Sequence, residues 1–409
     1  MKTLDLNKAS LTLYINYALI AYAFSFPISK AATNLFEIIA ILLWILEGDW
    51  KTKLKLYKNN LLSISIGLLI GFSLLSILWH GNPELTFKYV SKYRHLLIIF
   101  VFYSSFNKKY TSHILSAFLL AMFISEIMSY AIFFELIKYK NISPEDPTPF
   151  MSHMTYSTIL AFAINILLVR FFYEKNLKYR LFYIFFFITA TTNLFINGGR
   201  TGQIIFIILI LITIFMSFKH KLKAFFLSSS ILLITFFLAY NLSPNFQDRS
   251  NQLYTDIYHI LYEENYDGSA GTRLALTLAG ISTFIDYPVQ GTGVSYHMHD
   301  LNKYFKENNI NKINHTNSGD YHNAFLTISV QLGIVGVFIS LLIIISLLNF
   351  KFQSKEYNII SKLFAITFII FSFTHNTFHT MNPMVFFALF AGIFNACRHA
   401  SHLATPRIL

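Results

Sequence analysis

The sequence RLFYIFFFITATTNLFINGGRTGQIIFIILILITIFMSF, at residues 180–218, contains two long apolar runs separated by Asn-Gly-Gly-Arg. A helix needs about 20 mostly apolar residues to cross a bilayer, and each run approaches that length. The break places two glycines and Arg200 between two membrane helices. This stretch therefore predicts a helical membrane protein with a basic residue held at one membrane surface.

The composition agrees with this prediction along the whole chain. The 409 residues are 55% hydrophobic and 13% charged, and they include 44 Phe and 24 Tyr. Soluble domains carry about 25% charged residues, so we expect the exterior to face lipid. Basic loops between membrane helices account for the net charge of +12, and we expect membrane lipids but no nucleic acid as partners. The single cysteine, Cys397, excludes an internal disulfide.

Apolar runs of spanning length recur and predict an all-α polytopic membrane protein with about twelve transmembrane helices. Residues 1–242 are expected to hold the first nine, 243–321 one large periplasmic loop with amphipathic helices, and 322–409 the last three and a short cytoplasmic tail. The first run follows Lys2 and Lys8 and is too long for the apolar region of a signal peptide, so we expect it to remain uncleaved. The predicted spans lie near residues 10–28, 31–47, 61–79, 89–106, 112–136, 153–173, 180–196, 201–218, 222–242, 322–350, 359–374 and 378–397.

Basic residues predict the orientation. They cluster in alternate short connections next to the predicted helix ends, at residues 51–58, 108–109, 170–180, 219–223 and 351–362. Such clusters favour the cytoplasmic side. We therefore expect both termini in the cytoplasm and the loop at 243–321 on the opposite, periplasmic face of a bacterial inner membrane.

Arg200 lies on that opposite face, where the charge pattern does not require it. Gly198 and Gly199 permit a tight reversal that brings the backbone close to a ligand. The following helix is expected to begin near Thr201, and its unpaired first amides favour an anion. The alternative is a hairpin turn with an interfacial arginine.

Arg273 lies in the predicted periplasmic loop. Thr272 is a candidate N-cap, and Leu274, Leu278, Ile281 and Ile285 then repeat at helical spacing, which predicts an amphipathic helix on the membrane surface that ends near Pro288. Arg273 would lie in its first turn. Gly-Thr-Gly at residues 291–293 predicts another tight turn. The alternative is a solvated arginine at a helix start.

His322 is expected to open the tenth span. An unperturbed histidine has a pKa of about 6.5 and can accept a proton near neutral pH. The alternative is a histidine hydrogen-bonded to backbone at a helix start. Because Arg200, Arg273 and His322 are all predicted at helix N-termini, three positive dipole ends would converge if the residues meet. Such a site would bind a pyrophosphate.

A second basic group precedes the predicted fourth span. Lys88, Lys92 and His95 share one face of a helix by their spacing, and Arg94 lies beside them. They predict a strip that binds an anionic lipid headgroup, or side chains that merely reach from the helix to the headgroups.

Metal chemistry is not predicted. His153, His375 and His379 are expected on the periplasmic face, but no His-Glu-x-x-His pattern, Cys/His cluster or paired acidic motif accompanies them. We expect a reaction that uses neither a metal ion nor an organic cofactor.

Several short motifs occur in a fixed order and resemble those of the O-antigen ligase and polymerase superfamily. Arg200-Thr201-Gly202 follows a span, Gly271-Thr272-Arg273-Leu274 lies in the large loop, and Pro288 with Gly291 and Gly293 follows it. His322-Asn323 with Phe325, Gly333 and Gly336 then opens the next helix. The resemblance covers about residues 180–345 by motif and the whole chain by topology.

The resemblance implies a membrane glycosyltransferase fold of the GT-C type and a metal-independent, inverting reaction on the periplasmic face. By resemblance, Arg200 and Arg273 bind the diphosphate of an undecaprenyl-diphosphate-linked glycan, with Lys88, Lys92 and Arg94 as further candidates. His322 would activate the acceptor hydroxyl, with Asn323 and the glycines in supporting turns.

Four functions remain open within these expectations. The first is a ligase that transfers the glycan to a lipid A–core sugar hydroxyl. The second is a polymerase that extends the lipid-linked glycan. The third is a protein O-oligosaccharyltransferase, which we expect less because such proteins usually carry a sizeable C-terminal extension. The fourth is a flippase or transporter, which places its polar residues near mid-membrane in repeated halves, whereas here they lie at one surface.

Overall fold

The computed structural model describes residues 8–79, 82–308, 310 and 320–403, with side chains as far as residue 398. The predicted cytoplasmic termini and part of the predicted loop, at residues 309 and 311–319, lie outside the described residues. Every regular element within them is a helix, with short 3₁₀ helices at 76–78, 91–97 and 108–110. The α-helices are α1 (Lys8–Ser25), α2 (Lys30–Glu47), α3 (Trp50–Lys58), α4 (Leu61–Leu75), α5 (Pro83–Val90), α6 (Ile98–Ser105), α7 (Thr111–Phe133), α8 (His153–Tyr173), α9 (Leu177–Ile196), α10 (Arg200–Ser217), α11 (Lys221–Leu242), α12 (Pro244–Glu263), α13 (Ser269–Asp286), α14 (Leu301–Glu307), α15 (Ala324–Leu348), α16 (Lys355–Thr374) and α17 (Met381–Leu403).

Nine helices in the described ranges are long and apolar enough to cross a membrane, namely α4, α7, α8, α9, α10, α11, α15, α16 and α17 with their short extensions. They coincide with nine of the predicted spans. α2 and α3 are long and apolar enough only as a pair, which is bent by 112°. Counted as one span, this pair raises the number of candidate spans in the described residues to ten at most. The chain is therefore a multi-pass helical membrane protein, with fewer qualifying helices than the twelve predicted.

Two predicted spans explain most of the difference. α1 is a helix, but Lys8, Asn16 and its tyrosines reduce its mean hydropathy. The span predicted at 89–106 is interrupted, because the 3₁₀ helix at 91–97 separates α5 from the eight residues of α6. A 3₁₀ helix has three residues per turn, so Lys88, Lys92 and His95 do not share the α-helical face that their spacing predicted.

Two ends of the helical bundle differ in their polar contacts. At one end, Lys355 approaches the Ser217 carbonyl oxygen at 3.5 Å and Arg170 lies 3.9 Å from Glu356. At the other end, α9, α11 and the start of α12 meet, where the Ser243 hydroxyl donates to Phe195 O at 2.7 Å and Asn245 donates to Ile196 O at 2.9 Å. We call this second end the site end, because α10 and α15 begin there and α16 finishes there.

α8 lies at the centre of the bundle, and 89% of the residues in its apolar spanning segment are buried. α11 lies at the periphery with only 17% buried, and it exposes side chains such as Leu233 and Phe237. Exposed apolar surface of this extent on a helix of spanning length suits contact with lipid.

α15 is broken at Gly333, where φ is +60° and ψ is −143°. The loop after α13 hydrogen-bonds to the break. Thr292 N donates to Val330 O at 2.9 Å, Gly293 N donates to Gln331 O at 2.9 Å, and Ile334 N donates to Pro288 O at 2.8 Å. A membrane protein must satisfy the backbone groups that a broken helix frees. The motifs at 288–293 and 333 therefore form one structural unit that fixes the loop to α15.

We expect Gly333→Ala to destabilise the protein. A Cβ atom at this position would lie 2.3 Å from Val289 O, and the positive φ is itself unfavourable for alanine. The strain alone costs about 1–3 kcal/mol, and the steric overlap adds to it. The measurement is the thermal unfolding temperature of the detergent-purified protein.

Gly67→Ala is the matched control, since a Cβ atom there meets nothing within 4 Å and α4 is helical around it. Alanine favours a helix over glycine by roughly 0.5–1 kcal/mol, so Gly67→Ala should unfold at the same or a higher temperature. Equal unfolding temperatures for the two variants would contradict the assigned role of Gly333.

Candidate functional site

Three arginines line one cavity of about 300 Å³ at the site end. Arg200 begins α10, Arg249 lies on α12 and Arg273 lies on α13. Arg249 was not among the residues singled out from the sequence. The remainder of this arginine cavity is largely apolar, with Ile204, Ile207, Phe236, Phe246 and Leu253 among its walls.

Arg200 is held in place by close packing between α10 and α8. A Cβ atom at Gly199 would lie 2.0 Å from the Ser157 hydroxyl oxygen, and one at Gly202 would lie 2.3 Å from the Ser157 carbonyl carbon. The glycine before Arg200 therefore admits a neighbouring helix, not a ligand as the sequence suggested. Gly198 instead faces Arg249, whose Nε would lie 3.3 Å from a Cβ atom there.

Arg273 is not in the first turn of its helix, and Thr272 is not the N-cap. α13 begins at Ser269, after Gly268, because Asp256 on α12 accepts a hydrogen bond from Ala270 N at 3.0 Å and so satisfies the first turn. Thr272 lies inside the helix, and its hydroxyl group approaches the Tyr266 carbonyl oxygen at 3.4 Å. The helix therefore begins earlier than the sequence predicted, because the Asp256 carboxylate on α12 caps its first turn.

The predicted meeting of three free helix N-termini is also wrong. The N-terminus of α13 is occupied by Asp256, and Asn323 caps α15 by accepting from Leu326 N at 3.0 Å. Of these three helices, only α10 begins without a side-chain hydrogen bond to its first turn among the described residues, at Gly199. One helix dipole, not three, is available to an anion in the arginine cavity.

The described structure gives the three guanidinium groups no ion-pair partner. Arg249 donates to the Gln252 side chain at 3.0 Å, and Arg273 Nη2 lies 3.0 Å from Met154 Sδ. Burial and the nearby charge of Arg200 lower the pKa of Arg273. Several like charges around one cavity repel one another, so a multivalent anion there would stabilise the arrangement.

His322 lies in the turn before α15, next to Asp320. Its backbone has φ of +51°, an uncommon conformation for a residue with a side chain. The backbone N–H of His322 donates to Asp320 Oδ1 at 2.7 Å, and the ring Nδ1 lies 3.7 Å from the same oxygen. Strained residues of this kind are frequent at functional sites.

Two further histidines, His375 and His379, lie in the turn between α16 and α17. Burial lowers the pKa of each to about 4, so both are neutral at pH 7. The charge of Asp320 opposes the lowering of the His375 pKa, whereas His322 and Arg273 add to it. His375 therefore lies in the electrostatic reach of both the arginine cavity and the His322–Asp320 pair.

The basic strip predicted before the fourth span is divided among different partners. Lys92 Nζ lies 3.0 Å from His379 Nε2, which brings it to the site. Arg94 is exposed and donates to Asn34 Oδ1 at 3.2 Å, while His95 is buried against Glu37 at 2.6 Å. Lys88 is exposed. Only Lys92 is thus placed beside the histidines, because the 3₁₀ turn redirects its neighbours.

The low pKa values of His375 and His379 predict a loss of stability in acid. Between about pH 6.5 and 4 the unfolded chain binds protons that these two buried rings do not, so the free energy of unfolding falls as the pH falls. The full shift corresponds to at most about 3 kcal/mol per histidine. The measurement is the unfolding temperature as a function of pH.

A variant with both His375→Gln and His379→Gln should show a shallower pH dependence than the wild type. His113→Gln is the control, because His113 is exposed on α7, and its profile should match the wild type. An unchanged slope in the double variant would show that these rings do not control the acid response.

Sequence reasoning missed Arg249, Asp256 and Asp320. A signal for the first two was present, since Arg249 and Asp256 are seven residues apart and lie on one face of a helix.

Within the described residues, no group of three His, Cys, Asp or Glu side chains is arranged to hold a metal ion.

The comparisons with known proteins agree with the order of the motifs. The family described as O-antigen ligase matches residues 184–341, which include Arg200, Arg249, Arg273 and His322. An uncharacterized protein of Haemophilus influenzae is 28% identical over 244 residues, which are 58% of this chain and 60% of that protein. The matched region thus spans about three fifths of the relative's length. Over residues 184–341, the chain is thus similar to the O-antigen ligase family, in agreement with the resemblance that its motifs indicated.

Proposed function

We propose that this protein is an O-antigen ligase of the bacterial inner membrane. It transfers a glycan from undecaprenyl diphosphate to a hydroxyl group of a lipid A–core sugar on the periplasmic face. The observation that carries this proposal is the arginine cavity, in which three arginines meet apolar walls and have no ion-pair partner among the described residues. The charges of Arg273 and of the His322–Asp320 pair both act on His375. A cationic pocket with an apolar lining suits a diphosphate attached to a long lipid.

The arginines act on the leaving group. As the acceptor oxygen bonds to C1 of the donor sugar, the bond from C1 to the diphosphate oxygen breaks and that oxygen gains negative charge. Guanidinium groups that are already in place stabilise this charge where it develops. Arg273 and Arg200 bind the diphosphate, and Arg249 provides a third positive charge.

His322 acts on the acceptor. Its imidazole removes the proton of the attacking hydroxyl, and the carboxylate of Asp320, 3.7 Å away, stabilises the imidazolium that results. Attack from the face opposite the diphosphate inverts the configuration at C1. No step in this scheme needs a redox change, since one C–O bond replaces another and the proton moves to His322.

The test has a cellular part and a biochemical part. In the source bacterium, deletion of the gene should leave lipid A–core without O-antigen while lipid-linked polymer accumulates. A lipid A–core that carries a single repeat unit would indicate the polymerase instead. In detergent, the purified protein should transfer glycan from the undecaprenyl-diphosphate donor to lipid A–core without a membrane gradient, whereas a transporter makes no product.

A further inference from the structure

A second group of polar side chains lies near the arginine cavity, and several of its polar atoms lack hydrogen-bond partners among the described residues. We call it the amide–histidine cluster and define it as Gln331, His375, Asn376 and His379. Both polar atoms of the Gln331 and Asn376 carboxamides are buried and make no hydrogen bond of normal geometry, and the same holds for Nδ1 of His375 and Nδ1 of His379. The Tyr89 hydroxyl group lies close enough to both carboxamides to interact with them. Gln331 is 0% exposed and Asn376 is 1% exposed, so bulk water does not satisfy them.

Helix packing alone does not explain why these buried polar atoms are left without hydrogen bonds. Buried polar side chains in proteins nearly always have a hydrogen-bond partner, and leaving one without any is unfavourable. The backbone around them is well satisfied, because Gln331 O accepts from Gly293 N and Asn376 O accepts from His379 N at 3.2 Å. The turn and the helix break therefore hold the side chains in place while their polar atoms remain unsatisfied.

The donors and acceptors can be assigned for His379. Lys92 has only donors, so its ammonium group donates to His379 Nε2 at 3.0 Å. His379 then carries its proton on Nδ1, which becomes an unpaired donor. Each carboxamide offers both donors and an acceptor. The cluster thus presents donors and acceptors together, as a hydroxyl-rich ligand requires, whereas a phosphate oxygen accepts only.

The charge of the cluster differs from that of the arginine cavity. Its histidines are neutral at pH 7, and Lys92 and Asp320 both lie near His379. The Tyr89 ring lies 4.9 Å from the His379 ring, and an aromatic ring of this kind offers an apolar surface. This environment is close to neutral, so it suits an uncharged polar ligand better than a diphosphate.

The position of the cluster relates it to the proposed reaction. His375 is influenced by Arg273 and by His322, and His379 is influenced by Asp320 and Lys92. The cluster therefore lies within electrostatic reach of the His322–Asp320 pair, and His375 lies within electrostatic reach of Arg273 in the arginine cavity. An acceptor held by the cluster would have its hydroxyl next to His322, the group that removes its proton.

We propose that the amide–histidine cluster is the acceptor subsite and that it binds the hydroxyl groups of a carbohydrate through the carboxamides of Gln331 and Asn376. This inference rests on the proposed function. The same chemistry fits a sugar of lipid A–core or the terminal sugar of a second lipid-linked glycan, so both acceptors are tested.

The test uses Gln331→Met and Asn376→Leu, which keep the approximate volume and remove the hydrogen-bonding groups. With purified protein, the KM for the acceptor should rise about 10- to 100-fold, as expected when a site loses hydrogen bonds to its ligand. The affinity for undecaprenyl diphosphate should stay within about twofold of wild type. The unliganded variants should unfold at the same or a higher temperature, because an unpaired buried amide has been replaced by an apolar group.

Asn165→Leu is the matched control. Asn165 is also a fully buried amide, but it donates to Ala161 O at 2.9 Å and accepts from Thr213 at 2.9 Å. Its loss should lower the unfolding temperature and leave the acceptor KM unchanged. This opposite pattern separates a binding role from a structural one.

The outcomes distinguish a failure of the subsite from a failure of the proposed function. An unchanged acceptor KM in both cluster variants, or an equal loss of acceptor and undecaprenyl diphosphate binding, overturns the subsite. A raised KM for lipid A–core supports the subsite with ligation, and a raised KM for the lipid-linked glycan supports it with polymerisation. If wild-type protein transfers glycan to neither acceptor, the proposed function fails, and the subsite with it.

Discussion

Arg273→Ala is expected to reduce glycan transfer by about 10²–10³-fold, the usual effect of removing one preorganised group that stabilises developing charge. The protein should still insert and fold, because the guanidinium group of Arg273 contacts Met154 Sδ and forms no ion pair in the described structure. Burial and the charge of Arg200 lower the pKa of Arg273, so its removal also relieves repulsion from Arg200. The measurement is the initial rate with purified protein, together with the affinity for undecaprenyl diphosphate.

Arg273→Lys should recover only part of the activity. Lysine keeps the charge but loses the planar pair of donors that matches a phosphate group. Arg180→Ala is the control, because Arg180 lies at the opposite end of α9 from the cavity and its guanidinium group stacks on Phe171 at 4.9 Å. A transfer rate for Arg273→Ala within twofold of that of Arg180→Ala would remove Arg273 from the site.

Replacement of His322 by Asn is expected to reduce the turnover rate by about 10²–10⁴-fold, the range for a general base. Asparagine is chosen because it tolerates the positive φ at this position but is not a base near neutral pH. Donor affinity should be retained, because the three arginines are untouched. The unfolding temperature should also remain close to that of wild type, since the backbone conformation is unchanged.

The His322→Asn result is compared with His113→Asn, in which an exposed histidine on α7 is changed. The rate constant kcat and the donor KM are measured separately for both variants. A fall in donor affinity with kcat unchanged would assign His322 to donor binding in place of proton transfer. A normal kcat together with normal affinities would leave the reaction without its proposed base.

Much of the membrane architecture was predictable from apolar periodicity. The predicted span at 153–173 coincides with α8, and the span at 222–242 differs from α11 by one residue. Burial in lipid imposes a local requirement for length and apolarity, so each such run can be recognised without its neighbours. The interrupted span at 89–106 was predicted less well, because a 3₁₀ turn with polar partners on other helices replaces part of it.

Glycines illustrate the limit of local reasoning. The sequence indicated that Gly199 permits a close approach, but only the packing shows that the approaching atoms belong to Ser157 on α8. Gly291 and Gly333 were recognised as separate turns or motif positions. The structure shows that they meet, since a Cβ atom at Gly291 would lie 2.5 Å from Gly333 N.

The sequence by itself determined that this chain is a helical membrane protein, and the order of its motifs indicated a resemblance to the O-antigen ligase superfamily, whose model matches residues 184–341. It also identified Arg200, Arg273 and His322 as unusual, because charge at one end of apolar helices is rare and recognisable. Only the tertiary structure decided that Arg200 and Arg273 share a cavity with Arg249, that Asp256 occupies the N-terminus of α13, and that unpaired amides adjoin His375 and His379. Those contacts join residues distant in the chain, and the free energy that selects them comes from helix packing, which local sequence does not specify.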